Sequence, residues 1–500
     1  MVSSQSAGLD DVAGRAESPG GSRRPRVSPT WPEKTGHAVQ LTAQSAVPLL
    51  KAWTAAITRR GRADFPARGV RHLSGTRRLR GAQAALVATA ALACAGCARS
   101  PCGLNVWAVG VEANALQRMV PGFERRHPGT HVCVENLAWS SAQARLLSSV
   151  AAGDPPDVAQ VGDTDLSTLV TLHAIIPQRP VAGDFFKAAL DVTRFHGRYY
   201  GTPWYVDTRV LFYLPAVLHR AGYRRPARTW NGWLKQLQAV RRILKPGQYP
   251  LLAPINEYEL LEVLALQEPV PVLRDGDRYG NFASPSFRAA LAFYRNLFRQ
   301  RLAPRITDRQ LINLWWQMAR GDFAFYVSGP WNIGEFRRFL PPRDQDLWMT
   351  APLPGPQGPG ASLIDGSDLV IFAQSHRQPL ARAFVRYMVE NRQQARLFEL
   401  TGDLPARHGP WAFPPLAGDR KLNAFRRQLE RVQPFQKIPE WGEIMHGMRR
   451  MSEQVVIGGV PIRAATEQLD RRVNYWLAAR RQILREAQQK RRARTGAKRR

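Results

Sequence analysis

The sequence predicts an α/β protein built as two lobes, on three observations. The segment from Leu104 to Gly162 alternates strand, helix, strand, helix, strand, which implies a mostly parallel sheet covered on both faces. A chain of 500 residues with 44% apolar content exceeds one ordinary core, so two or more domains are expected. The extended run from Tyr199 to Tyr213 has the character of a crossing between them.

Each element has a local cause. "LNVWAVG" from Leu104 alternates as a strand, and "EANALQRMVPGFERRHPG" has helical apolar spacing that stops at Pro128-Gly129. "THVCVENLAW" is a second strand, "SAQARLLSSVAAGD" a second helix and "PPDVAQVGD" a third strand. In such sheets ligands lie beyond the carboxyl ends of the strands. There the sequence places Glu112, Trp139 with Ser140, and Asp163-Thr164-Asp165. One acid, one large aromatic and one polar cluster suit a polar ligand that also needs an apolar platform. Further on, Thr229 is a helix cap for "WNGWLKQLQAVRRIL", and Phe287 to Phe298 is helical. Phe323 to Val327 is a buried strand stopped by Ser328-Gly329-Pro330. Trp331 follows on the turn, a place for a side chain that presents a flat face to something else. A Pro/Gly-rich link comes next, and from about Gln378 the chain is helical in character.

The first hundred residues form an address. Residues 1–69 are rich in Ser, Gly, Pro, Ala and Arg without periodicity, and are expected to be disordered. Arg71, Arg77, Arg78 and Arg80 then precede the apolar run Ala82 to Ala93 and "ALACAGC", the three parts of a secretion signal. The run is too short to span a bilayer as a helix. Its Ala-Gly-Cys ending resembles a bacterial lipoprotein signal over 70–97, with Cys97 the lipidated residue, Cys94 the alternative and a plain secretion signal the third reading. No Met stands between Met1 and Met119. A start at Val70, through a GTG codon, would leave residues 1–69 outside the protein.

The net charge is +32, but residues 1–80 hold 14 Lys and Arg against 5 Asp and Glu, and residues 471–500 hold 12 against 1. The excess sits mostly at the two ends, so nucleic acid is not an expected partner. The basic end from Arg471, with its tail 486–500, is expected to lie against anionic lipid beside the anchor. Cys94 and Cys97 form a C-x-x-C without the second pair a zinc site needs. No Gly-x-Ser-x-Gly occurs, and neither metal nor cofactor is expected. Cys102 just precedes the first predicted strand and Cys133 lies in the second. A disulfide in an oxidising compartment and two reduced, buried thiols are both open.

Taken together, "VWAVGVEANALQRMVPGFERRHPG", "PDVAQVGDTDL", "YGTPWYVDTRVLFY", "SGPWNIGEF", "APLPGPQGPGASLIDGSDLVIF" and "ELTGDLPAR" resemble the solute-binding proteins of bacterial ABC sugar importers, of the maltose/trehalose-binding type. The resemblance runs from about Leu104 to Leu477. It implies a two-lobed periplasmic binding protein fold with an interlobe cleft and several hinge crossovers. Lobe 1 would be 98–206 plus 366–407, and lobe 2 would be 207–365 plus 408–485. It implies a binding protein, not an enzyme, that captures a sugar such as maltose or trehalose and delivers it to two transmembrane permease subunits with a cytoplasmic ATPase. The ligand contacts it implies are Glu112, Asp163, Asp165, Asp207, Tyr258, Trp331, Gly366, Ser367, Asp368 and Arg407. Trp139 and Trp204 join them as aromatic faces. Carboxylates and Arg bind sugar hydroxyls through charge-assisted hydrogen bonds, and rings stack on C–H faces. "GDTDL" replaces an Asn-Thr-Trp pattern, and Tyr258 stands where a Trp is common, which leaves the sugar open. The rival readings are a receptor for a polyamine or glycerol phosphate and, further off, a secreted glycoside hydrolase with Glu257 and Glu259 or Asp163 and Asp165 as its paired acids.

Overall fold

The computed structural model describes residues 102–497 apart from Tyr258, Ile312 and Phe435. Residues 1–69, the 70–97 signal with Cys97, the last three residues and the expected contact Tyr258 lie outside the described residues.

The chain opens as expected: β1 (Leu104–Val109), α1 (Gly110–Arg126), β2 (Val132–Leu137), α2 (Trp139–Ala152), β3 (Val158–Gly162) and the short α3 (Leu166–Thr171). β1 lies between β2 and β3 and runs parallel to both. Its apolar run from Val106 to Val109 follows from burial on both faces. Pro121 sits inside α1 without ending it. Buried Leu116, Met119, Val120 and Phe123 hold the helix past the hydrogen bond the proline cannot donate.

β4 (Thr202–Thr208) and β5 (Val210–Tyr213) are separated by Arg209 alone. Yet they belong to different sheets. The expected crossing is therefore one nearly continuous strand. Then come α4 (Trp230–Ile243), β6 (Tyr249–Leu252), α5 (Glu259–Leu266), α6 (Pro285–Arg299), β7 (Phe323–Ser328), α7 (Trp331–Phe339) and β8 (Met349–Ala351). Thr229 caps α4 as predicted, its hydroxyl accepting from the Gly232 amide at 3.1 Å. The return strand β9 (Ser362–Ile371) leads to α8 (Asn391–Thr401), β10 (Leu404–Pro405) and β11 (Val432–Pro434). The chain ends in α9 (Trp441–Val456), α10 (Ile462–Trp476) and α11 (Ala478–Ala497).

Two sheets result. The first has the order β10-β4-β9-β3-β1-β2, with β11 beside β9; the second is β8-β5-β7-β6. β9 runs antiparallel to both β3 and β4, so the first sheet is mixed rather than mostly parallel. The reason is topological: β9 enters from the second sheet, at the carboxyl ends of β3 and β4. The second sheet is packed by rings, Phe212 on Phe336 at 5.8 Å and Phe336 on Trp348 at 4.6 Å between centroids. Among the described residues no helix is long and apolar enough to cross a membrane.

Cys102 and Cys133 form a disulfide, which decides the open pairing. It closes a loop with a sequence separation of 31 and fastens the start of β1 to β2. Cys133→Ser, or reduction of the native chain, is expected to lower unfolding stability by about 2–4 kcal/mol. Urea melts with and without reductant read this directly, and coincident curves would contradict it.

Candidate functional site

Beyond the carboxyl ends of β1, β3 and β4, the chain gathers acids and rings around one buried network. Gln160 of β3 accepts the Val109 amide at 2.9 Å, which ties it to the end of β1. Its side-chain amide donates to Tyr205 Oη and Ser367 Oγ, both at 3.3 Å. Ser367 Oγ donates to Tyr205 Oη at 3.0 Å, and Tyr205 Oη donates to Glu112 Oε1 at 3.4 Å. Five elements thus converge on Glu112, the third residue of α1. Its Oε2 is buried and accepts no hydrogen bond among the described residues, so it is ready for an outside donor.

Trp139 opens α2 and is 53% exposed. A Cβ placed on Gly110 would stand 3.2 Å from Trp139 Nε1 and 3.4 Å from Glu112 Oε2, so indole and carboxylate are neighbours. One turn on, Gln143 donates to Asp165 Oδ1 at 2.6 Å and holds that carboxylate at the head of α3. Asp163, just past β3, donates its amide to the Gly366 carbonyl at 3.3 Å, and its carboxyl neighbours that of Asp368. Gly366 is required here, since a Cβ would meet the Tyr205 carbonyl at 2.4 Å.

The second half of the site hangs on Arg209, the one residue between the sheets and 4% exposed. Its Nε and Nη2 grip Glu259 of α5 at 2.7 and 2.9 Å, a bidentate pair. Its Nη1 pairs with Asp207 of β4, and Asp365 of β9 lies 3.8 Å from Nη2. Trp331 covers it, with the guanidinium carbon 4.7 Å from the ring centroid. The indole leaves 40% of its surface exposed. It starts α7 rather than lying on a turn, and it folds back over Gly329, where a Cβ would come within 1.9 Å of the ring.

Residues 108–395 match the family described as bacterial extracellular solute-binding protein. The chain belongs to that family. Among solved structures, the sugar-binding protein MalE of the phytopathogen Xanthomonas citri is 40% identical to this solute-binding protein. The match covers 76% of this chain and 99% of that one, with a TM-score of 0.74. The GacH receptor of Streptomyces glaucescens, solved unliganded and with acarbose, shares the fold at 21% identity, covering 75% and 98%, with a TM-score of 0.65. The diacetylchitobiose binding protein DasA of Streptomyces coelicolor is 23% identical over 313 residues, 61% of this chain and 73% of that protein. The two-lobed architecture inferred from the sequence is thus that of a solute-binding protein.

The structure brings together Glu112, Trp139, Asp163, Asp165, Asp207, Trp331, Gly366, Ser367 and Asp368. It corrects two expectations. Trp204 is wholly buried and offers no face to a ligand. Alternation along β4 turns Tyr205 and Asp207 toward the network and Trp204 to the other side. Arg407 clamps loops instead. It donates to the carbonyls of Val389 and Ala182 at 3.0 and 3.2 Å and to Asp184 at 3.3 Å, which occupies its fork. The residues the sequence did not single out as contacts are Tyr205, Arg209, Glu259, Asp365, Gln160 and Asp403. Glu259 enters the sequence reading only as a paired acid of a hydrolase. "YVDTRVLFY" held the signal, a lone Arg two residues after an Asp inside an apolar run.

Burial dominates the titration of this solute-binding protein's site. It pushes Asp165 up to about 6, Asp365 to about 7, helped by Asp207, and Asp368 to about 8. Burial also raises Asp163 strongly, reinforced by Asp368, Asp365 and Asp207, and raises Glu112 and Asp403. For Arg209, burial works against the charge, but Glu259 and Asp207 outweigh it and keep the guanidinium firmly protonated.

Two consequences are measurable. Carboxyls raised in the fold bind protons more tightly folded than unfolded. Their contribution is fully present below about pH 4 and is lost as pH rises through the 6–8 window. The melting temperature of the ligand-free protein should therefore fall between pH 5.5 and 8.5, and Asp368→Asn should flatten that slope; a wild-type melting temperature that rises with pH contradicts it. Arg209→Met strands Asp207, Glu259 and Asp365. It should cost about 3–5 kcal/mol near pH 7.5 and less near pH 5, where the stranded acids protonate. Urea unfolding at the two pH values separates this from a mere packing defect, which would cost the same at both.

Proposed function

We propose that this solute-binding protein is the receptor of an ABC importer for a sugar, with a disaccharide such as trehalose or maltose as the ligand class. The observation that carries this is the presence of two half-exposed indoles, Trp139 beside the buried Glu112 and Trp331 over the Arg209 that pairs with Asp207. Indole faces suit the C–H faces of sugar rings, and carboxyls that burial makes harder to ionise, Asp368 up to about 8, suit hydroxyls better than cations. An anion finds no free guanidinium, because Arg209 is shared by three carboxylates. The name of the Xanthomonas citri relative supports the same reading.

Glu112, Asp163 and Asp165 would accept from one end of the sugar, on lobe 1. Trp331, with Asp207 and Arg209 behind it, would stack on the other from lobe 2, and Tyr258 is retained as a further contact. The ligand then bridges the sheets and shifts the population toward a closed form. Two transmembrane subunits with a cytoplasmic ATPase would take the sugar from that form. The protein would work on the outer face of the membrane, held through a lipid on Cys97, and would release its ligand unchanged.

Tryptophan fluorescence titrated with trehalose, maltose, sucrose, glucose, glycerol phosphate and spermidine tests the reading. A saturable change with one disaccharide is expected, and Trp331→Ala should weaken it by about 2 kcal/mol, the loss of one ring contact. Unchanged affinity in that variant removes the stacking role. Saturation by spermidine alone, with proton release, would hand the site to a polyamine.

A further inference from the structure

A cavity of 370 Å³ opens between α9 and α10, lined by Arg450, Gln468, Arg471, Arg472, Tyr475 and Trp476. It lies outside the sites considered above. Four of these residues fall at positions 468, 471, 472 and 475, one stripe of α10 by helical spacing. The adjoining stripe, Ala465, Leu469 and Val473, is buried. The stripe therefore faces outward because the other face is already used. Arg471 and Arg472 make no ion pair or side-chain hydrogen bond among the described residues, while Arg450 lies 3.6 Å from Glu443. The acids of α10 are turned elsewhere. Asp470 accepts the Phe282 and Ala283 amides, and Glu467 pairs with Arg288 and Arg463. Tyr475 is 74% exposed, and Ile483, two turns further on α11, is 61% exposed.

We infer that this hollow seats the phosphate headgroups of an anionic phospholipid surface. Guanidiniums bind phosphate oxygens in forked pairs, and two of the three here are uncommitted. A free phosphate would need no apolar rim, whereas Tyr475 and Ile483 standing beside arginines match the depth profile of a membrane interface. The basic sequence continues along α11, with 12 Lys and Arg against 1 acid over residues 471–500, so the complementary partner is an extended anionic sheet. A second, smaller hollow of 190 Å³, lined by Arg295, Arg299 and Arg305 with Phe298, borders the end of α9. Nucleic acid also fits the charge, but an extracellular solute-binding protein works among lipids. The inference does not depend on the identity of the cleft ligand.

Vesicle co-sedimentation of the full chain tests it. The apolar segment Ala82 to Ala93 contributes equally to every variant and cancels. Vesicles holding about one-third phosphatidylglycerol should bind and pure phosphatidylcholine should bind far less, with the difference shrinking as salt rises. Arg471→Glu with Arg472→Glu should lower partitioning at least about tenfold, also when residues 486–500 are deleted. The milder Arg471→Gln with Arg472→Gln serves if charge reversal unfolds the chain. Sugar-dependent fluorescence should be untouched in both. Wild-type partitioning by the double variant overturns the assignment. So do equal binding to both vesicle types, and stabilisation by inorganic phosphate or duplex DNA without vesicle binding.

Discussion

The buried guanidinium of Arg209 is the constraint around which this molecule is arranged. It occupies the one position where the chain passes from the first sheet to the second. Its partners come from β4, β9 and α5, and an indole from α7 covers it. A charge in such a place is tolerated only when every donor is matched. The requirement fixes where β9 returns and how α5 and α7 begin. The junction between the sheets is thereby held by charge pairing rather than by apolar packing alone. Apolar contacts slide with little directionality, whereas a forked ion pair has a narrow geometry. The crossing is therefore a defined pivot.

Around that pivot the acids outnumber the cations, and burial answers the imbalance by holding protons. Burial, together with the neighbouring Asp368 carboxyl, holds the proton on Asp163. Such carboxyls act as neutral donors and acceptors. They discriminate by geometry among hydroxyl-bearing ligands without a net charge that would draw in every passing cation. Glu112 differs, because the Tyr205 hydroxyl, positioned by Ser367 and Gln160, donates to it and partly offsets its burial.

Much of this was legible in the sequence. The alternation from Leu104 to Gly162, the crossing at Tyr199 to Tyr213 and the Thr229 cap rest on local patterns that tertiary packing did not overturn. The acids after β1 and β3 were legible because strand ends in such sheets face the ligand, whereas Asp207, inside β4, was legible only through the family resemblance. What escaped depended on register or on distant partners. Tyr205 and Trp204 are adjacent, and one step along a strand exchanges the core for the site. Arg407 follows a plausible motif, but Ala182, Asp184 and Val389, remote in sequence, capture its fork. Trp331 looked like a turn residue because Gly329 and Pro330 precede it, yet Pro330 is also a good start to a helix. The antiparallel β9 was invisible because its direction is set by where the second sheet releases the chain.

The disulfide has a bearing on neighbours as well as on stability. Among the described residues β2 is the last strand of its sheet, with an unpaired edge. Open edges invite strand exchange between copies of a chain. For β2 to leave its own sheet and complete another molecule's, it would have to carry Cys133 away from Cys102, which the covalent link forbids. Once oxidised, the protein cannot lend β2 to another copy without breaking that link.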